Sequence, residues 1–284
     1  MPRPASQVYT WEPSDRAIAA RYGLDPADIL RFDTNTSPVA PDFAAEVLAG
    51  AMDPPLNEYP DSSYAELTEA AAAYVGVDPS EIVVGAGADE VLDMCAKAFL
   101  PAGSAALLPT PTYAMYGVLT SQRGATVEAV RRLGPDERYA LDVDALIERL
   151  PGAALLWLCA PNNPTGAPEP LVTIERILSA AAATGGPPPV IVIDEAYAEF
   201  WHETAVPLRV SYLDLVVIRT LSKAFALPGI RVGYGVAVRP TIERLERVRP
   251  PGSISTPSAT LAAAALRRPD LARENAAGLS AERE

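Results

Sequence analysis

Lys223 is the residue from which a reaction can be read. It stands in "RTLSKAFALPGIRVGYG", Arg219 to Gly235, just after the β-branched run that ends at Ile218. Of the 23 Lys and Arg residues only Lys97 and Lys223 are lysine, leaving 23 − 2 = 21 arginines. Arginine stays protonated and cannot form an imine. A lysine amine can, once desolvation or a neighbouring cation lowers its pKa. A chain that writes arginine almost everywhere keeps lysine where a neutral amine is needed. The alternative is a lysine with no function, and Lys97, at an exposed helical position by pattern, is such a case. Thr220, Ser222 and Arg231 stand around Lys223, two hydroxyls and a guanidinium suited to an oxyanion such as phosphate.

Three further stretches could meet the same ligand. In "VIVIDEAYAEF", Asp194 ends an apolar run and Tyr197 follows three positions on. A carboxylate there is costly without a charged partner, so it reads either as a cap or ion pair, or as an anion awaiting a cationic ligand. In "CAPNNPTGAP", residues 159–168, Asn163 offers an amide at a tight turn. In "VVGAGADEVLDM", small residues at Gly85, Ala86, Gly87 and Ala88 let backbone approach a ligand, and the amides opening the next helix can hold phosphate. The stretch matches neither the dinucleotide fingerprint nor a Walker loop. An amine, a phosphate cradle, an aspartate and an Asn/Tyr pair together describe a site for pyridoxal phosphate, which has an aldehyde, a phosphate, a basic ring nitrogen and a phenolic oxygen.

These residues need strands to position them. Apolar runs at 81–85, 105–109, 154–160, 190–194, 215–220 and 232–238 read as strands covered on both faces. Helical patterns lie between them, at 13–21, 64–74, 88–100, 113–122, 171–183 and 241–248. Alternation of this kind predicts an α/β fold with a mostly parallel sheet sandwiched by helices. Ligands bind such sheets beyond the carboxyl ends of the strands, where the residues above fall. Residues 1–45 read as an arm and part of a smaller unit, 46–250 as the large ligand-binding domain, and 251–284 as helix opening a second part of the small unit.

Composition narrows the classes. With 284 residues, 49% hydrophobic, the chain can bury a large core. A formal net charge of −13 argues against nucleic-acid and anionic-membrane partners. No run suits a signal peptide or a membrane span. Cys95 and Cys159 sit in apolar segments and suggest reduced thiols and a cytoplasmic setting. His202 reads as a surface or packing residue, and no His/Cys cluster has metal spacing.

The set "GAGADE", "PTYAMY", "APNNPTG", "IDEAYAEF" and "RTLSKAFALPGIRVGY", in this order, resembles the class I/II aminotransferases of pyridoxal-phosphate fold type I, most of all their histidinol-phosphate aminotransferase branch. The resemblance covers roughly residues 10 to 284. It implies that Lys223 holds the cofactor as an imine and shuttles the substrate proton. Asp194 pairs with the ring nitrogen, and Asn163 and Tyr197 bond the phenolic oxygen. Tyr113 stacks on the ring. The backbone amides of Ala88 and Asp89, with Thr220, Ser222 and Arg231, hold the phosphate, the Asp89 side chain turning away from it. Tyr59, in "NEYPD", reaches the phosphate of a neighbouring subunit, which implies a homodimer. Asn35, in "TNTSP", lies near the substrate. The implied activity is ping-pong transfer of an amino group from L-histidinol phosphate or an aromatic amino acid to 2-oxoglutarate. A threonine-phosphate decarboxylase and a non-catalytic cofactor-binding fragment are the alternatives. The family grips its substrate carboxylate with an arginine in a C-terminal region. This chain ends 284 − 223 = 61 residues beyond the lysine, and neither Arg267 nor Arg268 matches that arginine's context. The small domain is therefore expected to be incomplete, and the chain to bind cofactor better than it turns over substrate.

Overall fold

The computed structural model describes residues 12–38, 40–50 and 57–283. Seven strands form one sheet: β1 (Ile82–Gly85), β2 (Ala105–Thr110), β3 (Thr126–Arg131), β4 (Leu155–Cys159), β5 (Val190–Asp194), β6 (Leu215–Thr220) and β7 (Gly233–Val236), in the order β1-β7-β6-β5-β4-β2-β3. The neighbours from β6 through β5, β4 and β2 to β3 are parallel. β7 is antiparallel to both β6 and β1, so β1 runs in the same sense as β6. The carboxyl ends of β1, β2, β4, β5 and β6 therefore share one edge of the sheet.

Side chains alternate across the strands and divide the core in two. Val190, Val192, Val216 and Ile218 pack with Val91 and Leu92 of α4 (Ala88–Phe99), Leu119 of α5 (Met115–Gln122) and Leu245 of α8 (Arg239–Glu246). Ile191, Ile193, Leu215 and Val217 face the other way. They pack with Leu67 of α3 (Ala65–Val75), Ile177 of α7 (Leu171–Ala182) and Leu261 of α9 (Thr256–Leu266). Residues buried on both faces explain why these strands read as continuous apolar runs.

Two departures from the sequence reading have simple causes. β3, "TVEAVR", is an edge strand of which only Val130 is buried, so it lacks the apolar run that marks its neighbours. The C-terminal helical stretch is two helices, α9 and α10 (Pro269–Glu282). Pro269 has no N–H to continue α9 but suits the first turn of α10. The short helices α2 (Ala44–Gly50) and α6 (Val143–Ile147) also lie outside the sequence reading. α1 (Asp15–Tyr22) is present, opened by Ser14 and closed by Gly23. No helix among the described residues is long and apolar enough to cross a membrane.

Candidate active site

A cavity of about 220 Å³ opens at the shared carboxyl edge. It is lined by Lys223, Asp194, Tyr197, Asn163, Tyr113, Ala88, Asp89, Thr220, Ser222 and Arg231, together with Thr34 and Cys159. Ten residues scattered over the sequence reading thus meet in one place. Each is delivered by the turn that leaves a strand: Ala88 and Asp89 after β1, Tyr113 after β2, Asn163 after β4, Asp194 and Tyr197 at and after β5, the rest at and after β6.

Asp194 is fully buried in effect, 4% exposed, and forms no ion pair among the described residues. Its Oδ2 accepts the Tyr116 hydroxyl at 2.8 Å and its Oδ1 the Ala196 amide at 3.0 Å. Desolvation pushes its pKa up to about 6 against the pull of those two bonds, with Asp89 and Glu195 adding repulsion. Lys223 is half-buried, and its Nζ donates to the carbonyls of Thr34 and Asn35, each at 3.2 Å. Burial lowers its pKa; Asp194 and Asp89 oppose that and Arg231 adds to it. Tyr197 lies beneath the amine, its ring centroid 5.6 Å from Nζ, and its hydroxyl accepts from the Asn35 amide at 3.1 Å. Burial raises the Tyr197 pKa, so the phenol keeps its proton as a donor.

The phosphate-like cradle is built from backbone. α4 begins at Gly87 with no side-chain cap, leaving its first amides free toward the cavity. Gly87 has φ +82°, and a Cβ there would stand 2.7 Å from Arg231 Nη2. A Cβ on Gly233 of β7 would stand 2.4 Å from the Ala88 amide nitrogen, so only glycine lets β7 pack this closely against the turn. Thr220 Oγ1 donates to Ser222 Oγ at 3.0 Å and accepts the Ser222 amide at 3.2 Å, so both hydroxyls face one spot. Asn35, Ala226 and Arg231 hold left-handed backbone, with φ 49°, 56° and 51°. Such strain gathers at sites that other structure over-determines.

One side chain stands differently from its expectation. The Asp89 carboxylate does not turn away: its Oδ2 pairs with Arg231 Nη2 at 3.2 Å and its Oδ1 accepts the Tyr113 hydroxyl at 3.1 Å. A guanidinium and a phenol beside a carboxylate outweigh the alternative of capping α4. Tyr59 is 97% exposed and does not line the cavity, and exposed His202 lies against the Trp201 ring.

Several supporting residues escaped the sequence reading. Tyr116 holds Asp194 while stacking on Trp157 at 5.6 Å. Asn162 braces the Asn163 turn through Thr112, Thr165 and the Pro111 carbonyl. Glu90 reaches back to the Ala86 amide at 2.7 Å and accepts Ser253 Oγ at 2.6 Å, which fixes the glycine turn. The reach of Glu90 to a residue four positions back was open to local pattern reading. The Tyr116 and Asn162 contacts were not, since their partners lie far along the chain.

The residues present fit pyridoxal phosphate. A buried carboxylate without a cationic partner suits a ring N–H⁺. Glycine-bounded amides with two hydroxyls and an arginine suit a phosphate.

The sequence profile of aminotransferase class I and II matches residues 27–284. A histidinol-phosphate aminotransferase of Roseiflexus castenholzii is 36% identical over 273 residues, spanning 94% of this chain and 71% of its own length. Its counterpart from Methanopyrus kandleri is 35% identical over 273 residues, spanning 90% and 68%. Among solved structures, N-succinyldiaminopimelate aminotransferase of Mycobacterium tuberculosis superposes with TM-score 0.80 at 26% identity, over 94% of this chain and 72% of that one. A Sinorhizobium meliloti histidinol-phosphate aminotransferase, solved with pyridoxal-5'-phosphate, superposes with TM-score 0.82 at 23% identity, over 94% and 71%, a likeness of fold.

Proposed function

This chain belongs to the class I and II aminotransferases, and from that premise we propose that it is a pyridoxal-phosphate-dependent transaminase moving the amino group of L-histidinol phosphate to 2-oxoglutarate. The observation that carries the reading is Asp194, a buried carboxylate with no cationic partner among the described residues, lining the same cavity as the half-buried amine of Lys223. The choice of donor is supported by the relatives named above.

When bound, the cofactor supplies an aldehyde that takes up the donor's amine and a ring that accepts the electrons released at its Cα. The chain's own groups do the rest. Asp194 gives the ring nitrogen an anionic partner and so favours its protonated form. Desolvation favours the neutral form of Lys223, whose Nζ is placed to take a proton from the donor carbon and return it. Tyr197 and Asn163 offer hydrogen-bond donors for a phenolic oxygen. Tyr113 presents its ring to the cavity. The α4 amides, Thr220, Ser222 and Arg231 hold phosphate, with Asp89 orienting the Arg231 fork until an anion arrives. We read residues 46–250 as the cofactor-binding unit. Exposed Tyr22, Leu24, Leu30, Phe32 and Tyr59 favour a second copy packed on the N-terminal region, with Tyr59 reaching into its site.

The test is direct. Purified chain is loaded with pyridoxal phosphate, reduced with borohydride and mapped by mass spectrometry; a pyridoxyl adduct is expected on Lys223. A separate, unreduced portion of the loaded chain, incubated with L-histidinol phosphate and 2-oxoglutarate, should yield the ketone and glutamate. Release of carbon dioxide from a phosphorylated amino acid instead would replace transamination with decarboxylation.

A further inference from the structure

The turn between β1 and α4 carries no capping side chain of its own. Gly87 stands at the N-cap, and its amide bonds the Gly85 carbonyl at 2.8 Å. The turn is held from outside by Glu90, the third residue of α4. Glu90 Oε2 accepts both the Ala86 amide at 2.7 Å and the Ser253 hydroxyl at 2.6 Å. A glutamate at this helix position commonly reaches back to the N-cap amide. Here that amide is used within the turn, and the carboxylate reaches one residue further. Gly85 leaves the room for it: a Cβ there would stand 3.2 Å from Glu90 Oε2 and 2.9 Å from Met94 Cε.

Ser253 arrives from 163 positions away, and its own backbone is pinned. The hydroxyl of buried Tyr64 donates to the Ile254 carbonyl at 2.9 Å and accepts the Ile254 amide at 3.0 Å. Next along the chain, Ser255 caps α9. The hydroxyl that meets Glu90 is therefore presented by a fixed segment. Its role is electrostatic as well as mechanical. A carboxylate in the first turn of a helix is drawn to that helix's free amides, and those are the amides an incoming anion needs. Two neutral donors keep Glu90 Oε2 at Ala86 instead. Without the Ser253 hydroxyl, the carboxylate keeps one anchor of two. It is then free to turn toward the Ala88 and Asp89 amides, and the glycine turn loses its outer brace.

We propose that Glu90 and Ser253 are positioning residues for the cofactor's phosphate: the segment entering α9 sets the aim of the α4 amides through one shared carboxylate oxygen. The inference rests on the pyridoxal-phosphate transaminase reading and deepens it. Neither residue lines the cavity, so each acts through the turn.

Pyridoxal phosphate and pyridoxal, which differ only in the phosphate, separate this role from general support of the fold. Their affinities for the purified chain are measured by equilibrium dialysis, for the parent and three variants. Glu90→Ala should weaken pyridoxal phosphate about thirtyfold and Ser253→Ala about fivefold to tenfold, with pyridoxal held within about twofold in both. Glu90→Gln should recover most of the loss, because both bonds end on one oxygen and an amide oxygen can accept two. Ser253→Ala trims a half-buried hydroxyl and keeps the test open if Glu90→Ala fails to fold. Equal weakening of both ligands, no weakening, tighter pyridoxal phosphate in the alanine variants, or Glu90→Gln as weak as Glu90→Ala overturns the inference and leaves the transaminase reading standing. A parent chain that binds pyridoxal phosphate no better than pyridoxal overturns both.

Discussion

Two ionic clusters sit back to back at the ends of β5 and β6, and they are finished to different degrees. Asp194 and Thr220 point to the α4 and α5 side. Their chain neighbours Glu195 and Arg219 point to the α3 side, as alternation along a strand requires. Arg219 donates to Glu195 at 2.8 Å, to Thr204 at 2.9 Å and to Glu199 at 3.3 Å. Glu195 also accepts the Ala205 amide at 2.6 Å and Thr204 Oγ1 at 2.7 Å, and Glu199 accepts Tyr74 at 3.1 Å. The guanidinium and both carboxylates find ionic and hydrogen-bond partners within the chain. On the other face Asp194 has two neutral donors and no ion-pair partner among the described residues, and its pKa is pushed up to about 6. The cluster that saturates itself holds the fold. The cluster left open is the one that can bind.

The contrast can be broken by substitution, starting with the open face. Lys223→Ala should lower transamination at least about a thousandfold and abolish the borohydride adduct, while circular dichroism shows the parent fold. A variant that kept a tenth of parent turnover would remove Lys223 from the reaction. On the closed face Glu195→Gln leaves Arg219 buried and underpaired. It should destabilise the chain by about 3–5 kcal/mol in urea titrations, whether or not cofactor is present.

Asp194→Asn should show the opposite sign without cofactor. The folded pKa of Asp194 lies above its ordinary value, so the folded state binds the extra proton. Its favourable contribution is full below about 4 and is lost as pH rises through about 6. The asparagine variant, free of that loss, should be more stable than the parent at pH 8 by roughly 3 kcal/mol. Glu169, pushed up to about 7 by burial against the pull of Arg132, contributes in the same direction in both proteins and so cancels from the comparison. With cofactor present the order should reverse, since the amide cannot pair with a ring cation. Identical pH–stability curves for parent and variant would show that Asp194 carries no such cost. Smallest is Tyr116→Phe, which strips one bond from Asp194. It should weaken cofactor binding roughly tenfold with little change in the folded spectrum.

Much of the site was legible because an open α/β sheet gathers the turns leaving its parallel strands at one edge. Lys223, Asp194, Asn163, Tyr197, Thr220, Ser222 and Arg231 could be picked from short motifs after apolar runs. The antiparallel setting of β1 and β7 could not be read from them, since a strand's pattern reports burial and not direction. β3 was missed because an edge strand buries too little to show a run. The Asp89 carboxylate was placed wrongly because its choice between capping and pairing depends on Arg231, 142 positions away. Tyr116 had no visible role for the same reason, its partner lying 78 positions on.

By itself, then, the sequence supplied the chemical groups: an amine, an aspartate, and amides and hydroxyls suited to a phosphate, each set by residue type and a few local neighbours. Tertiary structure alone decided which charges found partners. Pairing Arg219 with Glu195 and leaving Asp194 with no ion-pair partner among the described residues both depend on how strands and loops stack. A desolvated charge responds to whatever stands within a few ångströms, and chain order does not record that distance.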